Sequence, residues 1–379
     1  MSSTRKVRIA LVGGGTGGHV SPALAVAHAL GAAGQDVQPW LATGRKPVES
    51  EWARGVQPPP VRLTAAPMPY GINPVGLARA LGAAALGALQ AVAWWRRWRP
   101  DAMLAMGGYV SVPAVLAARL LRVPYACHVS DALPDRSARR LARRARLVTV
   151  NYAEAAEAFP GVRVEVTGQP VRPWILGASR EEAARELGLQ PDRTTLVVMG
   201  GSQGARTLNR AVVAAAGRLM REGELQVLHL VGSLDYEEVS RGLQAAGVPG
   251  ERYRAFAFLH QMQWALALAD VAVTRCGANG LAEFAAARTP MVMIPYPHAG
   301  GHQRLNAEPL RQAGAGVIVE DAELTGDRLA DEVLAISEDQ ARRREMAAAA
   351  RRWARPEAAA HVARLLLELA GHPPGQREE

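Results

Sequence analysis

Val7-Arg8-Ile9-Ala10-Leu11-Val12-Gly13-Gly14-Gly15-Thr16-Gly17-Gly18-His19 is the stretch whose reading decides the fold. Its apolar run has the length of a buried strand, its glycines make a turn, and a helix-compatible run at 22–33 follows. Residues 37–41 offer the next strand. The apolar run at 101–106 ends in Gly107-Gly108 and leads into a helix through Leu121. Strands at 125–129, 147–150 and 162–166 continue the series. Strand, turn and helix in this alternation predict a parallel sheet with helices on both faces.

The pattern then restarts. Residues 170–190 mix prolines, charges and a short helix and read as a linker. A strand at 195–199, Gly200-Gly201 and a helix over 205–221 follow, with later strands at 227–231, 253–256, 271–274, 291–295 and 317–319. The simplest architecture is α/β: two Rossmann-like, doubly wound parallel-sheet domains facing a cleft, residues 1–170 and 171–379. A last helix over 356–371 is placed back on the first domain. Ligands of such sheets bind at the carboxyl ends of the strands.

A chain of 379 residues suits two domains better than one. With 49% apolar and 21% charged residues it belongs among globular proteins, not disordered ones. Its two cysteines, Cys127 and Cys276, form no disulfide framework and point to a reducing cytoplasm. No apolar leader precedes the first strand, so no export signal is read. The 44 Lys and Arg exceed the 35 Asp and Glu, for a formal charge of +9. That balance suits anionic lipid or a phosphorylated substrate as well as plain solvated helix faces. Nucleic acid is not an expected partner, because the basic runs at 136–146 and 342–355 lack interleaved aromatics. The Ala- and Leu-rich stretch from Pro74 is long enough to span a membrane. Arg79 and several glycines interrupt it, however, and Trp94-Trp95-Arg96-Arg97-Trp98-Arg99 ends it. We read an interfacial helix with Trp and Arg at the lipid boundary, or an ordinary amphipathic helix on a sheet.

Five motifs carry chemistry. The loop Gly13 to His19 lets backbone N–H groups approach an anion at a helix start. It is a poor dinucleotide fingerprint, since Leu41-Ala42-Thr43-Gly44 offers no carboxylate at the end of the second strand. His19 at a helix N-terminus is pushed toward its neutral form, which suits a general base, a hydrogen-bond donor or a simple loop cap. Gly107-Gly108-Tyr109-Val110-Ser111 and Gly200-Gly201-Ser202-Gln203-Gly204 occupy corresponding turns, and three such loops point to phosphates. In Arg275-Cys276-Gly277-Ala278-Asn279-Gly280-Leu281-Ala282-Glu283, free N–H groups suit a diphosphate and Glu283 suits a pair of ribose hydroxyls. After Pro295-Tyr296-Pro297-His298 come His302, Gln303 and Asn306. Gln303 carries a donor and an acceptor for sugar hydroxyls.

Taken together, GGTGGHVSPALA at 14–25, MGGYVSVP at 106–113, GQPVR at 168–172, GGSQGA at 200–205, the Glu283 helix and HQRLNA at 302–307 resemble glycosyltransferase family 28. The resemblance is to its bacterial UDP-GlcNAc transferases, which make lipid II from lipid I, and it spans almost the entire chain. It implies a GT-B fold without cofactor or metal. It also implies inverting transfer of GlcNAc from UDP-GlcNAc to the MurNAc C4 hydroxyl of lipid I, undecaprenyl-pyrophosphoryl-MurNAc-pentapeptide. The implied setting is the cytoplasmic face of the bacterial cell membrane, peripheral on an anionic surface, with cell-wall synthesis proteins as further partners.

By the same resemblance, the Leu259 backbone reads uracil and Glu283 holds ribose. Ser202 with Ala278, Asn279 and Gly280 holds the diphosphate, Gln203, Leu281 and Ala282 are further substrate-binding residues, and Arg172 brings positive charge to the phosphates or the donor. His302, Gln303 and Asn306 face GlcNAc. Thr16, Gly17 and Gly18 meet the acceptor pyrophosphate, Tyr109 and Ser111 join that side, and His19 is the candidate base. The chain departs from the family at one clear point. Where the family reads His-Glu-Gln-Asn, this chain reads His128-Val129-Ser130-Asp131, and an ionised Asp131 accepts hydrogen bonds but does not donate them. The segment 63–74 also lacks the family's basic, Gly-rich loop. Rival readings are another GT-B transferase with a lipid or natural-product acceptor, and a UDP-GlcNAc epimerase of related fold.

Overall fold

In the computed structural model β1 (Val7–Val12) is a buried strand that ends at the first glycine, and α1 (Gly17–Ala32) follows. The structure describes residues 5–34, 36–69, 73–201, 204–297 and 301–372. The helix starts a full turn earlier than the sequence reading placed it. Pro22 stands inside α1 and not at its first position. Its missing N–H forfeits only the bond to the Gly18 carbonyl, in the opening turn, where the disruption is least.

The chain divides into two units, residues 1–172 with 356–379, and residues 173–355. Unit 1 continues through β2 (Val37–Thr43), α2 (Pro47–Trp52), β3 (Val61–Arg62), α3 (Pro74–Trp98) and β4 (Ala102–Ala105). It goes on with α4 (Ser111–Leu121), β5 (Tyr125–Val129), α5 (Arg136–Ala142), β6 (Leu147–Val150) and β7 (Val164–Val166). The seven strands run in the order β3-β2-β1-β4-β5-β6-β7. The pairings are parallel, and Val12 lies opposite both Ala42 and Ala105. The carboxyl ends of β1, β2 and β4 are therefore level, which brings their following loops side by side.

Unit 2 holds α6 (Arg180–Leu187), β8 (Thr194–Met199), α7 (Arg206–Glu222), β9 (Leu225–Leu230), α8 (Tyr236–Ala245) and β10 (Tyr253–Phe256). Then come α9 (Met262–Leu268), β11 (Val271–Arg275), α10 (Ala278–Ala286), β12 (Met291–Ile294), α11 (His302–Gln312) and β13 (Gly316–Ile318). Two helices, α12 (Gly326–Ser337) and α13 (Gln340–Trp353), close it. Its sheet runs β10-β9-β8-β11-β12-β13, again parallel. Met199 pairs with both Thr274 and Leu230, so here too the loops after the central strands are neighbours.

A final helix, α14 (Ala358–Leu369), belongs to unit 1 and packs on α1. Val362, Leu365 and Leu366 join Val20, Val26, Leu30, Ile9, Leu11 and Leu104 in one buried cluster. Each such aliphatic side chain removed from water contributes about 1.5–3 kcal/mol. On the opposite face of the sheet α3 and α4 pack together.

α3 is the helix on which the membrane reading bears. Asn73 caps its start by accepting from the Gly76 N–H at 2.8 Å, and Arg99 ends it in the left-handed conformation. Of the tryptophans at its end, Trp95 and Trp98 are buried in the protein and Trp94 is partly buried. Trp94 and Trp98 stack at 5.3 Å, and Trp40 of β2 meets both rings edge-on. Trp95 and Trp98 are core residues, because positions 94, 95 and 98 share the helix face turned to the sheet. The exposed apolar side chains stand elsewhere on the helix: Val75, Leu77, Leu81, Leu86 and Leu89. α3 is long and apolar enough to cross a membrane by length and composition.

Candidate functional site

One candidate site is built on unit 1, where three loops leave the level ends of β1, β2 and β4. His19 stands in the first turn of α1 and is partly buried. Its Nδ1 lies 3.1 Å from the Thr16 hydroxyl, and the Gly14 carbonyl also bonds the ring. Gly107 lies against the opposite edge of the imidazole with φ of 93°, in the left-handed region. A Cβ there would stand 3.0 Å from Cδ2 and 3.1 Å from Nε2, so glycine keeps that nitrogen uncovered. Burial lowers the His19 pKa below its ordinary value, while Asp131, Asp135, the Gly14 carbonyl and Glu49 pull it back up. The ring is thus neutral at pH 7, with negative charges nearby that favour its taking up a proton.

Ser111 and Tyr109 have different jobs from one another. The buried Ser111 hydroxyl donates to the Gly107 carbonyl at 2.7 Å, which holds the loop that flanks His19. The Tyr109 ring covers Gly15, where a Cβ would come within 2.9 Å of Cε1. Asp131 is exposed, just beyond the carboxyl end of β5.

Two groups that carry no sequence motif complete this site. Glu49 of α2 is fully buried, and its carboxylate accepts from the Gly15 N–H and, at 2.9 Å, from the Lys46 N–H. A carboxylate therefore backs the glycine loop and occupies one of its amides. Nothing in the sequence announces a contact across 34 residues from a glutamate in a short polar helix. The second group is His128, buried beneath the loops. Its Nδ1 lies 2.9 Å from the Thr149 hydroxyl and its Nε2 lies 3.0 Å from Gln169 Oε1. Gln169 Oε1 only accepts, so Nε2 carries a proton. Burial drives its pKa down to about 4, against the Gln169 bond and with help from the neighbouring His19. Arg172 belongs to this unit as well. It is buried, with its guanidinium carbon 4.6 Å from the Trp52 ring centroid.

A separate cluster of candidate residues is built on unit 2. β11 ends at Arg275, Gly277 caps α10 in an extended conformation, and Ala278, Asn279 and Gly280 form the helix's first turn. Glu283 lies one turn further on and is buried, beside Leu281 and Ala282. Leu259 is buried in the segment between β10 and α9, next to Phe258, whose ring meets His260 edge-on at 4.8 Å. Arg275 is buried and pairs with Asp321 at 2.5 Å. Its guanidinium also reaches the Thr207 hydroxyl and the carbonyls of Ile294 and Pro295.

Gln303, at the start of α11, proves more constrained than its residue type suggests. Its Oε1 accepts from the backbone N–H of Cys276 and of Tyr296, both at 3.0 Å. Both lone pairs are thereby taken, and only the Nε2 donors are left to meet a ligand. The buried Asn306 donates to the Cys276 carbonyl at 3.1 Å, which pins the same turn from below. His302 is partly buried beside Gln303. Ser202, Gln203 and His298 lie outside the described residues.

Two doubly wound parallel sheets, each with glycine loops at its carboxyl end, make the GT-B fold. The chain belongs to glycosyltransferase family 28. Its N-terminal domain model matches residues 9–150 and its C-terminal domain model residues 195–363. The UDP-N-acetylglucosamine--N-acetylmuramyl-(pentapeptide) pyrophosphoryl-undecaprenol N-acetylglucosamine transferase of Nocardioides sp. is 39% identical over 96% of this chain and 98% of its own. The enzyme of the same name from Halothermothrix orenii is 35% identical over 92% and 95%. Among solved structures, Acinetobacter baumannii MurG is similar, with a TM-score of 0.71 and 27% identity over 96% of this chain and 99% of that one.

Proposed function

We propose that the protein transfers GlcNAc from UDP-GlcNAc, with inversion, to the C4 hydroxyl of MurNAc in undecaprenyl-pyrophosphoryl-MurNAc-pentapeptide. The observation that carries this reading is His19. It is a neutral imidazole on the glycine loop of unit 1, with Nε2 uncovered by Gly107 and with carboxylates that favour its protonation. In the reaction Nε2 takes the proton of the C4 hydroxyl as the oxygen attacks the anomeric carbon. The C1–O bond to the diphosphate breaks, and UDP leaves with the electron pair. The amides at Ala278, Asn279 and Gly280, with Ser202 and Gln203, meet that negative charge at a helix start. Glu283 holds the ribose, the Leu259 backbone reads uracil, and Gln303 donates to a GlcNAc hydroxyl. Asn306 holds the turn on which Gln303 depends, and His302 lies beside the sugar. Thr16, Gly17 and Gly18 receive the acceptor pyrophosphate, and Arg172 brings positive charge to the donor.

The direct test supplies UDP-GlcNAc and a short-chain lipid I analogue. The expected products are UDP and the disaccharide. A cooperatively folded protein that forms neither overturns the proposal. A donor panel with other UDP-sugars reads the effect of Asp131, which replaces a neutral donor with an acceptor.

The enzyme works at the cytoplasmic face of the membrane, lying on an anionic surface without spanning it. Support comes from the exposed Val75, Leu81, Leu86 and Leu89 of α3 and Leu116 and Leu120 of the adjoining α4. Arg119 of α4 reaches the Arg140 and Leu141 carbonyls, and Arg136, Arg139 and Arg140 of α5, with Arg143 just after it, line a cavity of about 450 Å³. Apolar side chains flanked by arginines suit an anionic bilayer. Vesicles containing phosphatidylglycerol should bind the protein, and Leu81→Asp with Leu89→Asp should release it. Equal binding of that double variant refutes this docking face.

A further inference from the structure

The loop that receives the acceptor diphosphate is backed by a negative charge. Glu49 is buried beneath it and uses the Gly15 amide that an incoming phosphate would otherwise find. A dianionic ligand at that loop needs a cation to offset Glu49. Arg62 is committed elsewhere, to the Thr43 hydroxyl and the Gly44 carbonyl. Arg172 is packed over Trp52, its guanidinium carbon 4.6 Å from the ring centroid.

Lys46 is placed differently. It precedes α2, and the Glu49 carboxylate fixes its backbone by accepting its N–H. Its side chain is exposed and turns back across the loop. The ammonium lies 3.3 Å from the Gly15 carbonyl oxygen and 5.2 Å from the centroid of the Tyr109 ring. It therefore touches both glycine loops of unit 1 at once, Gly13 to Gly18 and Gly107 to Tyr109. A carbonyl and a π face orient an ammonium without neutralising it. Among the described residues no carboxylate forms an ion pair with Nζ. The geometry points to Lys46 as the cation that contacts the diphosphate of the lipid-linked acceptor, with Glu49 as the residue that positions it. The inference rests on the transfer reaction proposed above.

The test separates binding from turnover. Affinity for a short-chain lipid I analogue is measured by calorimetry without donor, and disaccharide formation is measured with UDP-GlcNAc present. Lys46→Ala is expected to weaken acceptor binding and raise the acceptor KM roughly tenfold, the scale of one lost charge-assisted hydrogen bond. The KM for UDP-GlcNAc and the melting temperature should not move, because the Lys46 N–H to Glu49 bond survives the substitution. Lys46→Arg should restore affinity. Lys46→Met keeps the apolar stem over Tyr109 and should behave like the alanine variant. Added salt should weaken acceptor binding less in the alanine and methionine variants than in the wild type. Unchanged acceptor affinity in Lys46→Ala overturns the inference, and so does wild-type behaviour of Lys46→Met. If binding depends on Lys46 but no disaccharide forms, the Lys46 contact stands and the transfer reaction is what fails.

Discussion

Glu49→Gln tests the way the glycine loop of unit 1 is held. The wild-type carboxylate offers one oxygen to the Gly15 N–H and the other to the Lys46 N–H, in a fully buried place. An amide of the same shape keeps one oxygen and turns an NH2 group toward the other backbone donor. One hydrogen bond to a charged group is lost, worth about 1.5–3 kcal/mol, and two donors then face each other. We expect a total loss of about 2–4 kcal/mol. For a domain of this size each kcal/mol shifts the melting temperature by about 2–4 °C. The variant should therefore melt roughly 4–16 °C lower. Scanning calorimetry reads the shift, and tryptophan fluorescence assigns it. Trp40, Trp52, Trp94, Trp95 and Trp98 report unit 1, while Trp174, Trp264 and Trp353 report unit 2. Acceptor turnover should fall as well, since Gly15 is then no longer fixed. A variant that melts with the wild type, or one whose loss appears in unit 2 alone, would refute the argument that this carboxylate anchors the loop.

Three further outcomes follow from other contacts. Gln303→Glu keeps two oxygens for the Cys276 and Tyr296 amides but loses its donors, so it should fold normally while kcat/KM for UDP-GlcNAc drops roughly tenfold or more. Gln303→Ala should lose stability too, and equal unfolding midpoints for the two variants would sink this reading. Gly107→Ala sets a side chain at φ of 93° and against the His19 ring, and it should cut turnover far more than it raises the KM for UDP-GlcNAc; full activity would contradict the packing described. Acid should weaken each unit through a buried neutral histidine. His128 in unit 1 has its pKa lowered to about 4, and His229 in unit 2 has its own lowered to about 3, each mainly by burial. Their stabilising effect is complete above the unfolded value of about 6.5 and is lost as pH falls toward the folded one. Urea unfolding at pH 5 should therefore show each unit at least about 2 kcal/mol weaker than at pH 8, a difference that His128→Gln should reduce in unit 1, where His19 keeps the remainder. A flat profile over that range would refute the assignment.

The sheets were readable because their strands are unbroken apolar runs that stop at glycines, as at Val7–Val12 and Thr194–Met199. β3 escaped notice because a two-residue edge strand carries no period. The start of α1 was misplaced for a similar reason: proline usually opens a helix, whereas Pro22 lies inside this one. Glycine loops and Glu283 stood out because their residue types are unusual at helix starts. Glu49, Lys46 and Trp52 did not, because each acts through a neighbour distant in sequence. Gln303 shows the converse limit. Its residue type promised a donor and an acceptor, and two backbone amides claim the acceptor.

The position of α14 bears on the order in which the protein matures on the ribosome. Residues 173–355 form one uninterrupted stretch, so unit 2 has its whole core as soon as that stretch has emerged. Unit 1 begins earlier but waits for Val362, Leu365 and Leu366 to cover α1. Domains are made at about 5–20 residues per second, so the exposed face of α1 stays uncovered for tens of seconds of synthesis. The half that carries His19 is thus the last to close, although it is the first to be translated.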